Sequence, residues 1–223
     1  MTTISDDFNR ANSASLGANW TEVAGDADIV GNEYNIITAA YGDVVTIHNT
    51  ALSSADQYVK LVMASAEVQY PMIYMRYTNS SSAHYRMTID GNNGNVDWEY
   101  MPSVGGSSSL IVAGSLGSGI GGGDDSIGIT IEGTGTSTVV RGWRNPTANA
   151  PGSASLWDGN APAFSLTTDP GTPVNTGNYV GIGGQQGASG NLQYGDFYAG
   201  DFGGAAQSQA PRSMHQFRQR RVL

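Results

Sequence analysis

Residues 84–101, HYRMTIDGNNGNVDWEYM, predict a β-hairpin. Apolar and polar side chains alternate on both sides of its centre, and this period of two gives each strand one buried and one exposed face. The apolar positions are Tyr85, Met87, Ile89, Val96, Trp98 and Tyr100. The central DGNNGN, residues 90–95, supplies the Asn and Gly residues that tolerate the positive φ of a hairpin turn. Two half-buried antiparallel strands are therefore expected here.

Similar strand signals recur along the rest of the chain, as runs of β-branched and aromatic residues between turn residues. They include a second hairpin around TGT at 134–136, and the runs 43–49, 56–65, 70–77 and 107–115, followed by a short strand and a final strand within 178–202. No stretch of about 10 residues has a helical period. With 31 Gly and only 13% charged residues, the composition is typical of short strands joined by turns. The sequence predicts an all-β, two-sheet antiparallel sandwich of about twelve strands.

Three glycine-rich or proline-rich stretches interrupt these runs. GSGIGGGDDS at 117–126 is predicted to be a mobile loop, too rich in glycine to pack. GIGGQQG at 181–187 is predicted to be a turn, since it lacks the Lys-Ser/Thr ending and the following helix of a phosphate loop. The stretch 144–163 is a long Pro/Gly/Asn loop around Trp157. Loops of this length in a compact domain are usually functional or disordered.

The composition also excludes several classes of protein. The chain has no Cys, so it has neither a disulfide framework nor a thiolate metal site. No apolar run is long enough to predict a transmembrane span. The first twenty residues contain acids, Ser, Asn and Gly in place of the apolar core of a secretory signal. We therefore expect the fold to begin at about Ile4, in a protein that matures in the cytoplasm.

The charge is unevenly distributed. The net charge is -9, but residues 212–223 contain four Arg and no acid, which leaves six basic and nineteen acidic residues elsewhere, a net charge of -13. An acidic body repels the phosphates of nucleic acid, so no direct nucleic-acid binding is expected. We predict a partner-binding arm over 205–223, with a frayed terminus as the alternative. Its contact residues would be Arg212, Met214, Phe217, Arg218, Arg220 and Arg221.

Four stretches in this order resemble the concanavalin A-like lectin/glucanase jelly rolls. They are DDFNRANSASLGANW (6–20), the hairpin 84–101, DDSIGITIEGTGTSTVVRGW (124–143) and GNYVGIGGQQGASGNLQYGDFYAGDF (177–202). More narrowly, they are similar to the laminin-G-like versions found in bacteriophage virion structural proteins. The resemblance implies a jelly-roll sandwich over 1–204 followed by the arm at 205–223. It also implies that the first and last strands are neighbours, with Phe8 and Trp20 buried between the sheets.

Pairing of the first and last strands would gather carboxylates at one corner of a sheet. Asp6 and Asp7 would then lie near Asp196 and Asp201, and carboxylates this close repel one another unless something neutralises them. Some members of the family hold a structural calcium there, and calcium prefers carboxylate and carbonyl oxygens. The resemblance therefore implies a possible calcium site at Asp6, Asp7 and Asp196, the only cofactor expected. The alternative is that these Asp residues simply serve strand ends and turns.

Catalysis is not predicted. The glucanases of this family carry Glu-x-Asp-x-x-Glu on one strand, and this sequence lacks that pattern. The nearest pair, Asp97 and Glu99, shares a strand face opposite to Trp98, so a sugar stacked on the indole would lie away from the acids. The three His residues are scattered, without the spacing of a zinc site.

A sugar site needs aromatic rings that stack on a pyranose, together with neighbouring amides. The residues that best meet this description are Trp143, Trp157, Asp158 and Asn160, the last three in the long loop. The alternative is that both Trp residues fill the core or hold their loops in place.

The resemblance and the composition together predict a non-enzymatic bacteriophage virion structural protein. It would decorate a capsid, or form a head fibre or another part of the particle surface, and dock on other virion proteins partly through its arm. We expect a homo-oligomer, with a trimer by analogy with particle symmetry, and no membrane contact. The alternative is a carbohydrate-binding receptor or adhesin module that recognises cell-surface glycans. A glycoside hydrolase is disfavoured by the missing carboxylates.

Overall fold

The computed structural model describes residues 1–36, 43–66, 70–79, 82–117, 119–120, 125–133, 138–167, 176–185 and 192–202. These residues form β-strands and contain no helix, as the sequence predicts. The strands are β1 (Thr3–Asp6), β2 (Trp20–Ala24), β3 (Ala27–Val30), β4 (Glu33–Ile36), β5 (Asp43–His48), β6 (Gln57–Ala66), β7 (Tyr70–Tyr77), β8 (His84–Ile89), β9 (Asn95–Met101), β10 (Ser109–Ser115), β11 (Ser126–Glu132), β12 (Val139–Arg144), β13 (Phe164–Thr167), β14 (Tyr179–Gln185) and β15 (Leu192–Asp201).

The strands form two antiparallel sheets. The eight-stranded sheet has the order β13-β12-β11-β6-β15-β4-β3, with β1 also paired to β15. The seven-stranded sheet has the order β10-β9-β8-β7-β14-β5-β2. Because β6 and β7, and likewise β14 and β15, lie in different sheets, the chain crosses repeatedly between the two layers and the predicted two-sheet sandwich is confirmed.

Alternation along each strand builds the core between the sheets. In the predicted hairpin, β8 pairs with β9 in antiparallel register, with Met87 opposite Trp98. Both side chains are fully buried, and the stacked rings of Tyr85 and Trp98 lie 5.2 Å apart. The second predicted hairpin, β11–β12, is also present and buries Ile127, Ile129 and Ile131 in the same core.

The two ends of the described chain meet, as expected. Thr3 pairs with Gly200 and Asp6 with Phe197. Strand β4 pairs with an earlier part of β15, at Gln193 and Tyr194, so β1 and β4 pair with successive parts of β15. Phe8 and Trp20 are buried, 0% and 6% exposed. Their aromatic rings pack together and Trp20 contacts the ring of Phe197 edge-on, which ties the first residues of the fold to its last strand.

One prediction about a glycine-rich stretch is wrong, and a second is corrected at one residue. Residues 181–185 of GIGGQQG continue β14, a central strand of the seven-stranded sheet, and do not form a turn. A Cβ at Gly181 would lie 2.0 Å from the carbonyl oxygen of Thr46, so glycine lets β14 approach β5 this closely. Within 117–126, Ile120 is completely buried in the core and its N–H donates to the Gly91 carbonyl, so this residue packs despite the glycines around it. Residues 118 and 121–124 lie outside the described residues, and the mobility of the loop stays a prediction.

Each sheet also carries apolar side chains on its outer face. On the seven-stranded sheet a cluster of buried residues is partly covered by Val104, from the segment after β9; its members are Val45, Ile47, Met72, Tyr74 and Tyr77. On the eight-stranded sheet a smaller cluster contains Tyr58, Trp143 and Trp157. These outer clusters lie beside the pockets described below.

No helix in the described ranges is long and apolar enough to cross a membrane. Residues 203–223, which include the predicted arm, lie outside the described residues.

Candidate functional site

The long loop between β12 and β13 covers the outer face of the eight-stranded sheet. Trp157 is fully buried, with its ring centroid 5.7 Å from that of Trp143 and 6.1 Å from that of Tyr58. Its indole N–H donates to the Ala148 carbonyl at 2.9 Å, and the indole N–H of Trp143 donates to the Asn160 carbonyl at 3.1 Å. Two indoles therefore hold this loop against the sheet.

The residues predicted to bind a glycan lie together. Trp143, Trp157, Asp158 and Asn160 line a pocket of about 270 Å³, which we call the Trp157 pocket. Asp158 accepts the backbone N–H groups of Thr147 and Ala148 at 2.6 and 2.9 Å. The bond from Ala148, followed by that from Thr147, lowers the pKa of this carboxyl. With both indoles at most 4% exposed, these contacts support loop anchoring, and glycan binding by these four residues stays a prediction.

A second pocket lies on the outer face of the seven-stranded sheet. Its volume is about 230 Å³, and we call it the Tyr179 pocket. It is lined by Thr21, Val23, Ile47, Asn49, Tyr77, Asn79 and Tyr179. These residues come from β2, β5, β7 and β14 and from the segments that follow β5 and β7, so the sheet brings together side chains far apart in the chain. None of them is charged.

The Tyr179 pocket combines a rigid wall with unused polar groups. The Tyr77 hydroxyl donates to Ser82 at 3.1 Å, and Thr21 donates to Asn49 at 2.6 Å, which fixes both sides of the pocket. Tyr179 is half-buried and Asn79 is exposed. Neither the Tyr179 hydroxyl nor the Asn79 amide has a hydrogen-bond partner in the structure's described ranges. An aromatic ring beside an unused amide is the chemistry that a sugar site requires.

A charged cluster occupies another part of this face. The Arg86 guanidinium lies 2.8 Å from Asp43 and 2.8 Å from Glu99, and Glu99 also accepts the Thr88 hydroxyl at 3.2 Å. Strands β7 and β14 lie between β8 and β5, three spacings that would span about 14 Å in a flat sheet. The bridge from Arg86 to Asp43 therefore indicates that the sheet curves toward this face.

The acidic pair considered for catalysis is arranged as the alternation predicts. Trp98 is fully buried in the core, while Asp97 is exposed and Glu99 half-buried on the opposite face. Glu99 is held by Arg86 and Thr88. The indole and the two acids therefore lie on different sides of the sheet.

Hydrogen bonds organise the sheet corner at Asp6 and Asp7, where a calcium site is predicted. Asp6 accepts from Arg10 at 2.6 and 3.1 Å, from the Trp20 indole at 2.7 Å and from the Phe8 backbone at 2.8 Å. Burial raises the pKa of Asp6, but the bonds from Arg10, Trp20 and Phe8 outweigh it, and the pKa is lowered overall.

The prediction that Asp201 lies beside Asp6 and Asp7 is wrong, because the acids are divided between the two ends of β1. Asp7 and Asp196 flank the last register pair, Asp6 with Phe197, whereas Asp201 lies at the other end of β1, where it accepts from Thr2 and Ser53. Within the described ranges, no three His, Asp or Glu side chains are grouped as metal ligands. The calcium site at Asp6, Asp7 and Asp196 stays a prediction.

Comparison with known proteins identifies the fold. No protein-family model matches the chain, and no curated protein matches it in sequence. Bacillus licheniformis β-glucanase superposes with a TM-score of 0.55 at 11% identity, over 89% of this chain and 98% of the other. The carbohydrate-binding module CBM66 from Bacillus subtilis has a TM-score of 0.50 at 11% identity, over 82% and 92%. The exoplasmic/lumenal domain of VIP36 in its Ca2+-bound form has a TM-score of 0.53 at 10% identity, over 89% of each chain.

The chain has the concanavalin A-like jelly-roll fold. The sequence predicts this fold but does not indicate the Tyr179 pocket of the jelly roll. The only signal that could have indicated it is the pair of tyrosines placed directly before or after polar turn residues, in YTN at 77–79 and GNY at 177–179. The predicted arm residues, from Arg212 to Arg221, lie outside the described residues.

Proposed function

We propose that this jelly roll is a non-enzymatic glycan-binding protein whose binding site is the Tyr179 pocket. The observation that carries the proposal is the half-buried ring of Tyr179 beside the exposed amide of Asn79, both without hydrogen-bond partners in the described part of the chain. A pyranose would stack on the ring and exchange hydrogen bonds with the amide. Support also comes from proteins of the same fold, a carbohydrate-binding module and a VIP36 domain in a Ca2+/Man-bound form.

The lining of the pocket favours a neutral sugar. It contains no charged side chain, and the chain outside residues 212–223 has a net charge of -13. This acidic body repels a uronate or a sialylated glycan approaching from solution, an effect that weakens as salt is added. Neutral hexoses are therefore the proposed ligand class.

The absence of catalysis is part of the proposal, although glycan-modifying enzymes share the fold, among them the Crh5 transglycosylase with a TM-score of 0.54. Retaining hydrolysis needs two carboxyl groups about 5–5.5 Å apart, one of which acts as the acid. Asp43 and Glu99 share the face but are both engaged by Arg86, and the glucanase pattern is missing. A reducing-sugar assay on neutral polysaccharides should detect no product, and product formation that Glu99→Gln abolishes would overturn this part.

The test of binding is a glycan array followed by titration of the best neutral ligand. Tyr179→Ala should weaken its affinity about tenfold or more, through loss of the stacking ring. Tyr70→Ala is the matched control, because Tyr70 is a half-buried tyrosine on the same sheet outside the pocket. Unchanged affinity in Tyr179→Ala, or no retained glycan on the array, would refute the proposal.

The predicted virion role is compatible with glycan binding and is proposed from the sequence alone. The feature that favours it is the arm with four Arg on an otherwise acidic chain, which suits docking on an acidic neighbour. A chain truncated after residue 204 should fail to enter particles in a reconstituted assembly, while it still binds the glycan. Full incorporation of the truncated chain would exclude the arm as the docking element.

A further inference from the structure

We infer a second saccharide site on the opposite face of the jelly roll, where β1 meets the loop that carries Trp157. The pocket here has a volume of about 340 Å³, and we call it the Tyr58 pocket. The residues that matter for binding are Thr3, Ser5, Tyr58, Asn149 and Tyr198. It belongs to the eight-stranded sheet and shares no lining residue with the Tyr179 pocket. Its volume is near the lower end of the range for small-ligand sites, about 300 Å³.

The hydroxyl of Tyr58 is the central feature of this pocket. Tyr58 is 2% exposed, and its ring is fixed between Trp157, perpendicular at 6.1 Å, and Phe202 at 5.7 Å. The side chain lines the pocket, yet no residue in the described ranges hydrogen-bonds its hydroxyl. This hydroxyl is not among the buried side-chain polar atoms that lack a partner in the described ranges, so it is open to the pocket, where water or a ligand can bond to it. Burial, and then Asp201, raise the pKa of Tyr58, so the phenol keeps its proton as a donor.

A glycine keeps this hydroxyl accessible. Gly200 is the register partner of Tyr58, and a Cβ at Gly200 would lie 2.6 Å from the Tyr58 hydroxyl oxygen. Any other residue at this position would therefore crowd the oxygen that the pocket presents.

The remaining wall offers further groups for a sugar. Thr3 and Ser5 are exposed and alternate along β1, so their hydroxyls lie on one side of the strand, and neither side chain has a hydrogen-bond partner within the described residues. Tyr198 completes the lining with a ring, and Asn149, whose amide oxygen already accepts from Lys60, borders it. Three hydroxyls next to an aromatic ring are complementary to the hydroxyls and the C–H face of a hexose.

The ammonium of Lys60, which lies near the Tyr58 pocket, does not make the pocket a site for an anionic sugar. The Lys60 ammonium lies 5.8 Å from the Tyr198 ring centroid and donates to the Thr147 carbonyl and to Asn149, at 3.1 and 3.3 Å. It is 6% exposed, so these contacts and the surrounding loop shield it from the pocket. A neutral saccharide is thus the expected ligand class here as well.

Two sites on opposite sheets would let one molecule bridge two glycan chains. Because the two sites face away from each other, an avidity of about 10²–10⁴ over the affinity of either site is expected only where glycan chains lie on both sides of the molecule, and not on one flat surface. Weak single-site binding would then be sufficient for retention on a repetitive glycan.

The test follows methyl signals of the full chain by NMR during titration with methyl glycosides of neutral hexoses, up to about 100 mM because millimolar affinity is expected for one sugar. Ile4 and Ala150 report on the Tyr58 pocket, and Val23 and Ile47 on the Tyr179 pocket. At least one glycoside should shift the Ile4 and Ala150 signals. The paired substitutions Thr3→Val and Ser5→Ala, both at exposed positions, should weaken that binding about tenfold and leave binding at Ile47 unchanged.

The two reporters separate this inference from the proposed function. Shifts at Ile47 alone would overturn the second site and leave the first intact, and shifts at Ile4 alone would do the reverse. Shifts at Ile4 that persist unchanged in the Thr3→Val, Ser5→Ala variant, or that appear only with methyl glucuronide, would also exclude the neutral-saccharide site.

Discussion

The indole of Trp157 rests directly on Gly128, in β11 of the eight-stranded sheet. A Cβ at Gly128 would lie 2.7 Å from the indole ring and 3.0 Å from Pro146. The missing side chain in the sheet and the tryptophan in the loop therefore form one packing unit, which explains how a 19-residue span rich in Pro, Gly and Asn (145–163) is held in place. The same contact buries the ring that a sugar would need.

Substituting Gly128→Ala should displace Trp157 and destabilise the protein by about 1–3 kcal/mol, the usual cost of overpacking. The measurement is urea unfolding followed by tryptophan fluorescence, which should also show a more exposed indole. Gly195→Ala is the control, because a Cβ there meets only the Ala64 methyl at 3.9 Å. Equal stability of the two variants would show that the loop can move away from the sheet without cost.

Removing the Asp6 carboxylate should loosen the first residues of the fold. Asp6→Ala removes the acceptor of the Trp20 indole and the carboxylate partner of Arg10, which still donates to the Leu16 carbonyl, and we expect a loss of about 1–3 kcal/mol. Asp7→Ala, at an exposed residue that among the described residues accepts only from the Asn9 backbone, should cost less than about 1 kcal/mol. Thermal melting of both variants provides the comparison, and equal losses would contradict the assigned role of Asp6.

The same melting experiment tests calcium. Because Arg10, Trp20 and Phe8 already occupy the Asp6 oxygens, wild-type melting temperatures in EDTA and in millimolar calcium should agree. A rise with calcium that Asp7→Ala abolishes would instead establish the metal site predicted from the resemblance.

Acid should destabilise the fold well above the pH at which carboxylates titrate. Burial lowers the pKa of His48, although Asp6 raises it in part, and burial likewise lowers the pKa of His84. In the unfolded chain the histidine pKa is near 6.5, so as the pH falls the unfolded chain binds more protons than the folded one. The contribution of the two histidines to stability is complete above pH 6.5, and it is lost as the pH falls toward their lowered pKa values in the folded state. Urea midpoints from about pH 8 to about pH 5 should therefore decrease.

A double variant identifies the groups responsible for the dependence of the urea midpoint on pH. The double variant His48→Gln, His84→Gln should flatten it, whatever its own stability, because it removes both titrating rings. A slope that persists in the double variant would mean that other groups cause the acid sensitivity.

The strands were predictable from sequence wherever burial alternates with a period of two. In β8 and β9 the apolar face lies against the core, so the pattern and the register agree. In β14 the pattern did not predict the strand, because Gly181 and Gly183 allow close approach to β5 and do not form a turn: a Cβ at Gly183 would lie 1.9 Å from the Val44 carbonyl oxygen. Composition alone does not separate these two uses of glycine.

The candidate site was less predictable than the fold. Trp157 and Asp158 drew attention because they lie in a long loop, but their contacts anchor that loop. Tyr179 and Asn79 come together only when β7 and β14 pair, since they are a hundred residues apart in the sequence. No local motif encodes such a pocket, because it follows from register and from sheet order.

Arg86 should stabilise the fold through its ion pairs with Asp43 and Glu99. Arg86→Met leaves Asp43 and Glu99 without their shared cation, and we expect a loss of about 1–3 kcal/mol, less than for a fully buried pair because Asp43 is 28% exposed. Adding Asp43→Asn and Glu99→Gln should recover part of that loss by removing the unpaired charges. Urea unfolding of the single and triple variants makes the comparison. If the triple variant is no more stable than Arg86→Met, the contribution of Arg86 comes from packing and not from the two carboxylates.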